Sequence, residues 1–361
     1  MFENLYIHIP FCRSKCDYCA FFSVTDKSEC GKFLTKLFLD IEKSTNLYGK
    51  KFETLYIGGG TPTLLSEQEL EFFFTKLDNL LDLKSFKEIS IESNPETLTR
   101  DKLAIIGNYV TRLSMGVQSF NENLRRILGR DCSNQAIYRA IELINASSIK
   151  NFNIDLIYAI PTETPADFAF DLEQVKKANA VHVSCYNLTI EEQTKLAGRD
   201  ICIDEDIALE LYQMAINNPY FRQYEVSNYA VAPEFQCLHN RNIWRGGTLL
   251  GFGPAASSFD GENRFTQSYS LSDYLSERNI DYDVISPEER RNEIFAVNLR
   301  TCEGWSREVF EKKYPDSFDT YLSKIRSLAD INPEFFDYSR EHIRLTPQGL
   351  LFWDEIASEL L

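Results

Sequence analysis

The first half of the chain alternates between two patterns of apolar and polar residues. Short runs rich in Ile, Val, Leu and Tyr, typical of buried strands, occupy residues 5–9, 54–57, 88–91, 112–115, 153–157 and 180–186. Between them lie stretches with apolar residues at helical spacing, for example residues 32–44, 66–77 and 164–177. Strand followed by helix, repeated in this way, predicts an α/β protein with a parallel sheet.

Two architectures fit this repeat, an open doubly wound sheet and a partial barrel. Every polar motif in this half of the chain directly follows a strand, where (β/α) barrels place their functional residues. We therefore predict a partial barrel of six β/α units at residues 1–190. The repeat then stops, which predicts an irregular barrel extension at residues 191–268 and a small helical, winged-helix-like C-terminal domain at residues 269–361.

Composition and charge narrow the functional classes. The 43% hydrophobic and 25% charged content is typical of a globular protein. A formal net charge of -16 argues against a broad nucleic-acid-binding surface, so we expect no nucleic-acid partner. No apolar run is long enough for a membrane helix, and the first residues lack the basic segment of a signal peptide. We expect a cytoplasmic protein.

Three cysteines near the N-terminus, Cys12, Cys16 and Cys19, have the spacing of a metal-binding loop. A structural zinc site or an electron-transfer 4Fe-4S cluster needs four ligands, whereas three thiolates leave one iron of a cubane open to a small molecule. A disulfide is the alternative, but disulfides are uncommon in a reducing compartment. The other cysteines lack ligand spacing, and we interpret them as small buried residues: Cys30, Cys132, Cys185, Cys202, Cys237 and Cys302.

Polar motifs follow the next strands. The run from Gly58 to Thr63 has three consecutive glycines, which permit close approach of the backbone to a ligand. Together with the cysteines, these motifs resemble the radical SAM superfamily, in which S-adenosylmethionine chelates the open iron. The resemblance to the branch containing oxygen-independent coproporphyrinogen oxidase implies S-adenosylmethionine contacts at Tyr6, Gly59, Gly60, Thr61, Glu92, Gln118, Arg130 and Asp155, to which we add Tyr18.

Two features distinguish the chain from the oxidase. Phe21 stands where the oxidase has a further cysteine, and only five residues precede Tyr6. The runs at residues 224–230, 239–247 and 345–349 are instead similar to the HemW subfamily of haem chaperones. This resemblance implies three cofactors, a 4Fe-4S cluster, S-adenosylmethionine and haem. It implies an unidentified haem-acceptor protein as partner, and it allows transient contact with membrane-bound acceptors.

His239 is the candidate axial ligand for haem iron, because imidazole is a common axial donor and Trp244 is near enough in sequence to pack on the macrocycle. Ile243 replaces a Tyr that is usual in the subfamily, and Cys237 is a competing thiolate ligand. Two other functions remain open. The protein could be a coproporphyrinogen III oxidase acting by radical decarboxylation, or its cluster could serve electron transfer or sensing alone.

Overall fold

The computed structural model describes residues 2–361 and contains the predicted repeat of strands and helices. Ser66 and Glu69 form a capping box at the start of the second helix, and Thr164 caps the sixth. The strands are β1 Asn4–Ile9, β2 Thr54–Gly59, β3 Glu88–Ser93, β4 Arg112–Gln118, β5 Asn151–Tyr158 and β6 His182–Asn187. The helices are α1 Cys30–Tyr48, α2 Glu67–Leu81, α3 Arg100–Ile106, α4 Glu122–Ile127, α5 Asn134–Asn145 and α6 Pro165–Lys177.

The six strands are parallel and pair in chain order, and shorter strands extend the sheet on both sides. The outer neighbour of β1 is β9 (Leu249–Phe252), which is parallel to it. The outer neighbour of β6 is β8 (Asn228–Ala230), which is antiparallel to it. The sequential order of β1 to β6 is that of a barrel rather than of a doubly wound sheet, in which the strand order reverses, and β1 and β6 do not pair with each other. The predicted partial barrel is therefore confirmed.

Alternate strand residues point to opposite faces, which explains the pattern along each strand. In β1, Leu5, Ile7 and Ile9 are fully buried in the main apolar core. The residues between them, Tyr6 and His8, contact polar or aromatic groups inside the barrel. Polar residues therefore line the barrel interior, and the apolar residues hold the helices against its outside.

The region predicted to be irregular continues the sheet, which corrects the sequence interpretation. Strands of two to four residues are too short to show periodicity. Helix α9 (Leu271–Leu275) and strand β12 (Asp281–Asp283) also pack with the barrel, although the sequence analysis assigned these residues to the C-terminal domain. The elements are α7 Glu205–Ile216, β7 Arg222–Gln223, β8, α8 Leu238–Trp244, β9, β10 Ser257–Phe259, β11 Arg264–Thr266, α9 Leu271–Leu275 and β12 Asp281–Asp283.

The C-terminal region has its own apolar core and a three-stranded antiparallel sheet. Its order of helix, strand, two helices and two strands is that of a winged helix, as predicted. None of the described helices is long and apolar enough to span a membrane. The elements are α10 Pro287–Asn298, β13 Trp305–Ser306, α11 Arg307–Lys313, α12 Phe318–Ala329, β14 Phe336–Tyr338, β15 His342–Leu345, α13 Pro347–Leu351 and α14 Trp353–Leu360.

Candidate functional site

A cavity of about 340 Å³ lies at the carboxyl ends of the parallel strands. This is where such barrels collect their functional side chains. The structure brings most of the predicted site residues together there: Cys12, Cys16, Tyr18, Cys19, Gly59, Gly60, Thr61, Glu92, Gln118, Arg130 and Asp155. Tyr6 lies one layer deeper, where its ring stacks on Tyr56 at 6.2 Å.

The cysteine loop follows β1, and its three thiols are partly exposed toward the cavity. The Cys12 thiol lies 3.6 Å from the Thr61 hydroxyl, and the Arg130 guanidinium donates to the Cys16 sulfur at 3.7 Å. Burial raises the pKa of the Cys12 and Cys19 thiols.

The thiol arrangement suits a cluster better than a single ion. Among the described residues, no three metal-binding side chains are close enough together to hold one metal ion. A cubane takes each thiolate on a different iron, so it needs wider separation between ligands. Three cysteines lining one cavity beside a cationic guanidinium therefore fit the predicted 4Fe-4S cluster.

Neighbouring atoms of the protein leave no room for side chains at the glycine turn. The sequence analysis attributed these glycines instead to the close approach of a ligand. A Cβ on Gly60 would lie 2.7 Å from the carbonyl oxygen of Phe11, and one on Gly59 would lie 2.7 Å from the His8 ring. Gly59 also has a φ of 110°, which disfavours other residues. The glycines thus permit this turn to pack against the start of the cysteine loop.

Glu92 is presented to the cavity by two hydrogen bonds. The Tyr56 hydroxyl donates to Oε1 at 2.9 Å and the Gly59 N–H donates to Oε2 at 3.1 Å. Burial raises the pKa of Glu92 to about 7. A carboxylate in this position can accept two hydroxyl hydrogen bonds of a ribose.

Sequence reasoning missed Tyr56 and Asn94, both of which line the cavity. The Asn94 side chain donates to the Thr61 hydroxyl at 2.9 Å and accepts from Arg130 at 2.7 Å. Two signals could have identified them. Tyr56 is the register partner of Tyr6 on the interior face, and Asn94 directly follows β3.

Gln118 and Asp155 lie on neighbouring strands beside Arg130. Gln118 has a φ of 74° at the end of β4, where the register with β5 shifts, and such strained residues cluster at functional sites. Asp155 accepts from the Ser114 hydroxyl at 3.0 Å and from the Asn153 amide at 2.7 Å. These bonds fix the carboxylate of Asp155 on the cavity wall.

His239 does not lie in this cavity. It is the second residue of α8, which covers the amino ends of the barrel strands, and it is 3% exposed. Its Nδ1 lies 2.7 Å from the hydroxyl of Thr54, the first residue of β2, and its ring packs on Tyr56 at 5.2 Å. Burial lowers the pKa of His239 to about 3. In this conformation His239 closes the end of the barrel opposite the cysteines.

Two other residues considered for haem binding also have structural contacts. Cys237 is fully buried, and its sulfur lies 3.5 Å from a Glu88 oxygen. The Trp244 ring stacks on the guanidinium of Arg300 at 4.2 Å. Arg300 also forms an ion pair with buried Glu225 at 3.0 Å, so these motifs join the barrel to the C-terminal region. Of the remaining cysteines, Cys202 is exposed and Cys302 is partly exposed, which corrects the prediction that both are buried.

Comparisons with known proteins identify families that match both parts of the chain. The model of the radical SAM superfamily matches residues 6–175, and that of the HemN C-terminal domain matches residues 285–352. Coproporphyrinogen III oxidase (HemN) from Escherichia coli has a similar fold, with a TM-score of 0.84 over 99% of this chain and 90% of that chain, at 23% identity.

Curated relatives match the whole chain more closely. Proteins named heme chaperone HemW from Lactococcus lactis and Haemophilus influenzae are each 31% identical to it, over 99% of this chain and 97% of theirs. The protein of the same name from Escherichia coli is 36% identical over 70% of this chain and 69% of its own length. The chain therefore belongs to the HemW family of radical SAM proteins.

Proposed function

We propose that this protein binds haem and transfers it to an acceptor protein, either free or membrane-bound, and that it carries a 4Fe-4S cluster with exchangeable S-adenosylmethionine. The observation that carries the proposal is the similarity to proteins named as heme chaperones over 99% of the chain. The meeting of three cysteines with the predicted polar residues in one cavity supports the cofactor assignment.

Cys12, Cys16 and Cys19 would hold the cluster through three of its irons. The bound group would supply one-electron chemistry, as iron–sulfur cofactors do in general. Phe21, which is 70% exposed, lines the cavity where the oxidase has its further cysteine. This replacement favours a chaperone over an oxidase.

Four polar residues of the cavity have distinct roles toward S-adenosylmethionine in this proposal. Glu92 would accept the ribose hydroxyls, held by Tyr56 and the Gly59 N–H. Arg130 and Gln118 would bind the methionine carboxylate, since both can donate to it. Asn94 orients Arg130 and Thr61, which adds Asn94 as a positioning residue.

The proposed role of His239 as haem ligand requires a conformational change. Its imidazole is buried against Thr54 and Tyr56, so haem iron reaches it only if α8 leaves the end of the barrel. If haem binds without this movement, a residue other than His239 is its ligand. Comparing the haem spectra of His239→Ala and the wild type distinguishes these cases.

Haem binding is tested by titrating the anaerobically reconstituted protein with haem and following the Soret band. We expect saturable binding at a fixed stoichiometry, and weaker binding by an unrelated protein of similar net charge. Binding no tighter than that of the unrelated protein would refute the proposal. Formation of protoporphyrinogen from coproporphyrinogen III by the same sample would instead identify an oxidase.

A further inference from the structure

The segment that connects β6 to α7, residues 188–204, lies against the cysteine loop. We call this segment the strap. Its first residues, Leu188 and Thr189, line the cavity. Further on, it joins a small apolar cluster that is separate from the main core and includes Tyr18 from the cysteine loop. The other members are Leu124, Ile127, Leu128, Ile157, Ile160, Leu188, Ile190, Leu196, Ile201 and Ile203.

Asp17, between Cys16 and Tyr18, is the point at which the strap holds the loop. The carbonyl oxygen of Asp17 accepts from the Leu196 N–H at 2.8 Å, and its N–H donates to Leu128 at 3.0 Å. Within residues 13–18, all of them described, these are the backbone hydrogen bonds to distant segments. The backbone in the middle of the cysteine loop is therefore hydrogen-bonded to distant segments through one residue.

The side chain of Asp17 adds an ion pair with the strap. Its carboxylate is 13% exposed and accepts from the guanidinium of Arg199, whose other nitrogen donates to the Ile127 carbonyl at 2.9 Å. Lys195 also approaches it at 3.7 Å but is 71% exposed, so it contributes little. Arg199 thus joins the cysteine loop and the end of α4 through two fixed bonds.

The space for the Asp17 carboxylate depends on a glycine. Gly129 has a φ of 66°, and a Cβ there would lie 2.4 Å from the carboxyl carbon of Asp17. Gly129 directly precedes Arg130, which contacts the Cys16 sulfur. The contact between strap and loop therefore lies beside the predicted cluster ligands.

We infer that Arg199 is a positioning residue for the cysteine loop, and that its ion pair with Asp17 sets how long the protein retains its cluster. The inference rests on the cluster of the proposed function but not on haem binding. Without this ion pair the middle of the loop keeps the two backbone hydrogen bonds of Asp17 and the contact between Arg130 and Cys16. Its anchoring to the strap is weaker, so Cys16 and Cys19 move more freely. A mobile thiolate exposes its iron to water and to chelators.

The test compares iron loss from reconstituted wild type, Arg199→Ala and Arg126→Ala after addition of a ferrous chelator under anaerobic conditions. Arg126 is the matched control, because it is 66% exposed and its guanidinium contacts Glu122 at 3.5 Å and Asn123 at 2.8 Å, both in its own helix α4. We expect Arg199→Ala to lose iron at least about five times faster than the wild type, and Arg126→Ala to match the wild type. Arg199→Lys should give an intermediate rate, because it keeps the charge but not the second hydrogen bond.

Equal rates of iron loss for Arg199→Ala and Arg126→Ala would overturn the inference. So would a lower melting temperature of Arg199→Ala with an unchanged rate, which indicates a general structural role. If Arg199→Ala does not fold, Asp17→Asn replaces it, since this change removes the ion pair at constant size. A wild-type protein that assembles no cluster would overturn the proposed cofactor itself, and the inference with it.

Discussion

Gly60 joins the two loops that carry the candidate site. Its N–H donates to the Ile9 carbonyl at 2.8 Å, and the Phe11 carbonyl lies where its side chain would be. We expect Gly60→Val to lower both the iron content and the S-adenosylmethionine affinity, the affinity by about tenfold or about 1.4 kcal/mol. Iron analysis and calorimetry measure the two effects.

The control for Gly60 is Gly31→Val, since Gly31 is exposed and no heavy atom lies within 4 Å of the position that a Cβ would occupy. It should retain wild-type iron content and affinity. Loss of affinity with full iron content in Gly60→Val would show that the glycine serves the ligand alone.

The buried imidazole of His239 predicts sensitivity to acid. Its pKa is about 3 in the folded state and about 6.5 in an unfolded chain, so the unfolded state binds more protons between these values. The free energy of unfolding of the apoprotein should therefore fall as the pH decreases from 6.5 toward 3, by up to about 1.4 kcal/mol per pH unit from this residue. Denaturant titrations at several pH values measure this slope.

His239→Gln should reduce that slope, whereas His342→Gln, which removes a partly exposed histidine, should retain most of it. Equal slopes for the wild type and His239→Gln would mean that the imidazole is accessible to solvent. Such a result would favour the predicted role of His239 as a haem ligand.

The sequence predicted most of the cavity residues because they lie in or after the carboxyl-terminal half of a strand, and parallel strands bring their carboxyl ends together. It did not predict the location of His239. That residue lies five positions before Trp244 in a polar motif, but its surroundings come from Thr54 and Tyr56, more than 180 residues earlier. Local sequence contains no information on such contacts.

Helix α8 depends on one buried carboxylate at its start. Glu88, 6% exposed, accepts from the N–H groups of Leu238 at 2.8 Å and His239 at 3.1 Å. It also lies near Arg112, which is 3% exposed and whose pKa it raises together with Cys237. Glu88 thus satisfies the helix terminus and balances a buried cation.

We expect Glu88→Ala to lower the free energy of unfolding by about 1–3 kcal/mol, because it leaves the N–H groups of Leu238 and His239 without their acceptor at the start of α8. Thermal and denaturant unfolding measure the effect. Glu53→Ala is the control, since Glu53 forms an exposed ion pair with Lys87 and should cost less than about 1 kcal/mol. A cost for Glu88→Ala as small as that of Glu53→Ala would contradict the assigned role.

Helices and strands were predicted correctly where the apolar pattern extends over many residues, and they were missed where the element has only two to four residues. The six parallel strands and helices such as α6 follow their patterns. Strands β7 and β12 have two and three residues, and their pairing with the sheet depends on neighbours far along the chain. Sequence periodicity cannot identify strands of this length.

At the scale of the whole molecule, Arg300 joins the barrel to the C-terminal region. Its guanidinium lies between the rings of Trp244 at 4.2 Å and Trp353 at 4.8 Å, and it pairs with Glu225. We expect Arg300→Lys to lower the free energy of unfolding by about 1–3 kcal/mol, because lysine keeps the charge but loses the planar stacking.

Hydrogen exchange should locate this effect on both sides of the contact, in α8 and in α14. Arg326→Lys, an exposed change in α12, is the control and should leave exchange unaltered. Faster exchange confined to α14 would show that Arg300 stabilises the C-terminal region alone.

The central claim concerns transfer of haem, and the dependence of its rate on acceptor concentration tests that claim most directly. The reconstituted, haem-loaded protein is mixed with increasing amounts of an apo-cytochrome acceptor, and the Soret band follows the haem. A chaperone predicts a rate that rises with acceptor concentration, because transfer occurs within a complex. A rate that is independent of acceptor concentration and equal to haem loss to a passive scavenger would contradict the account.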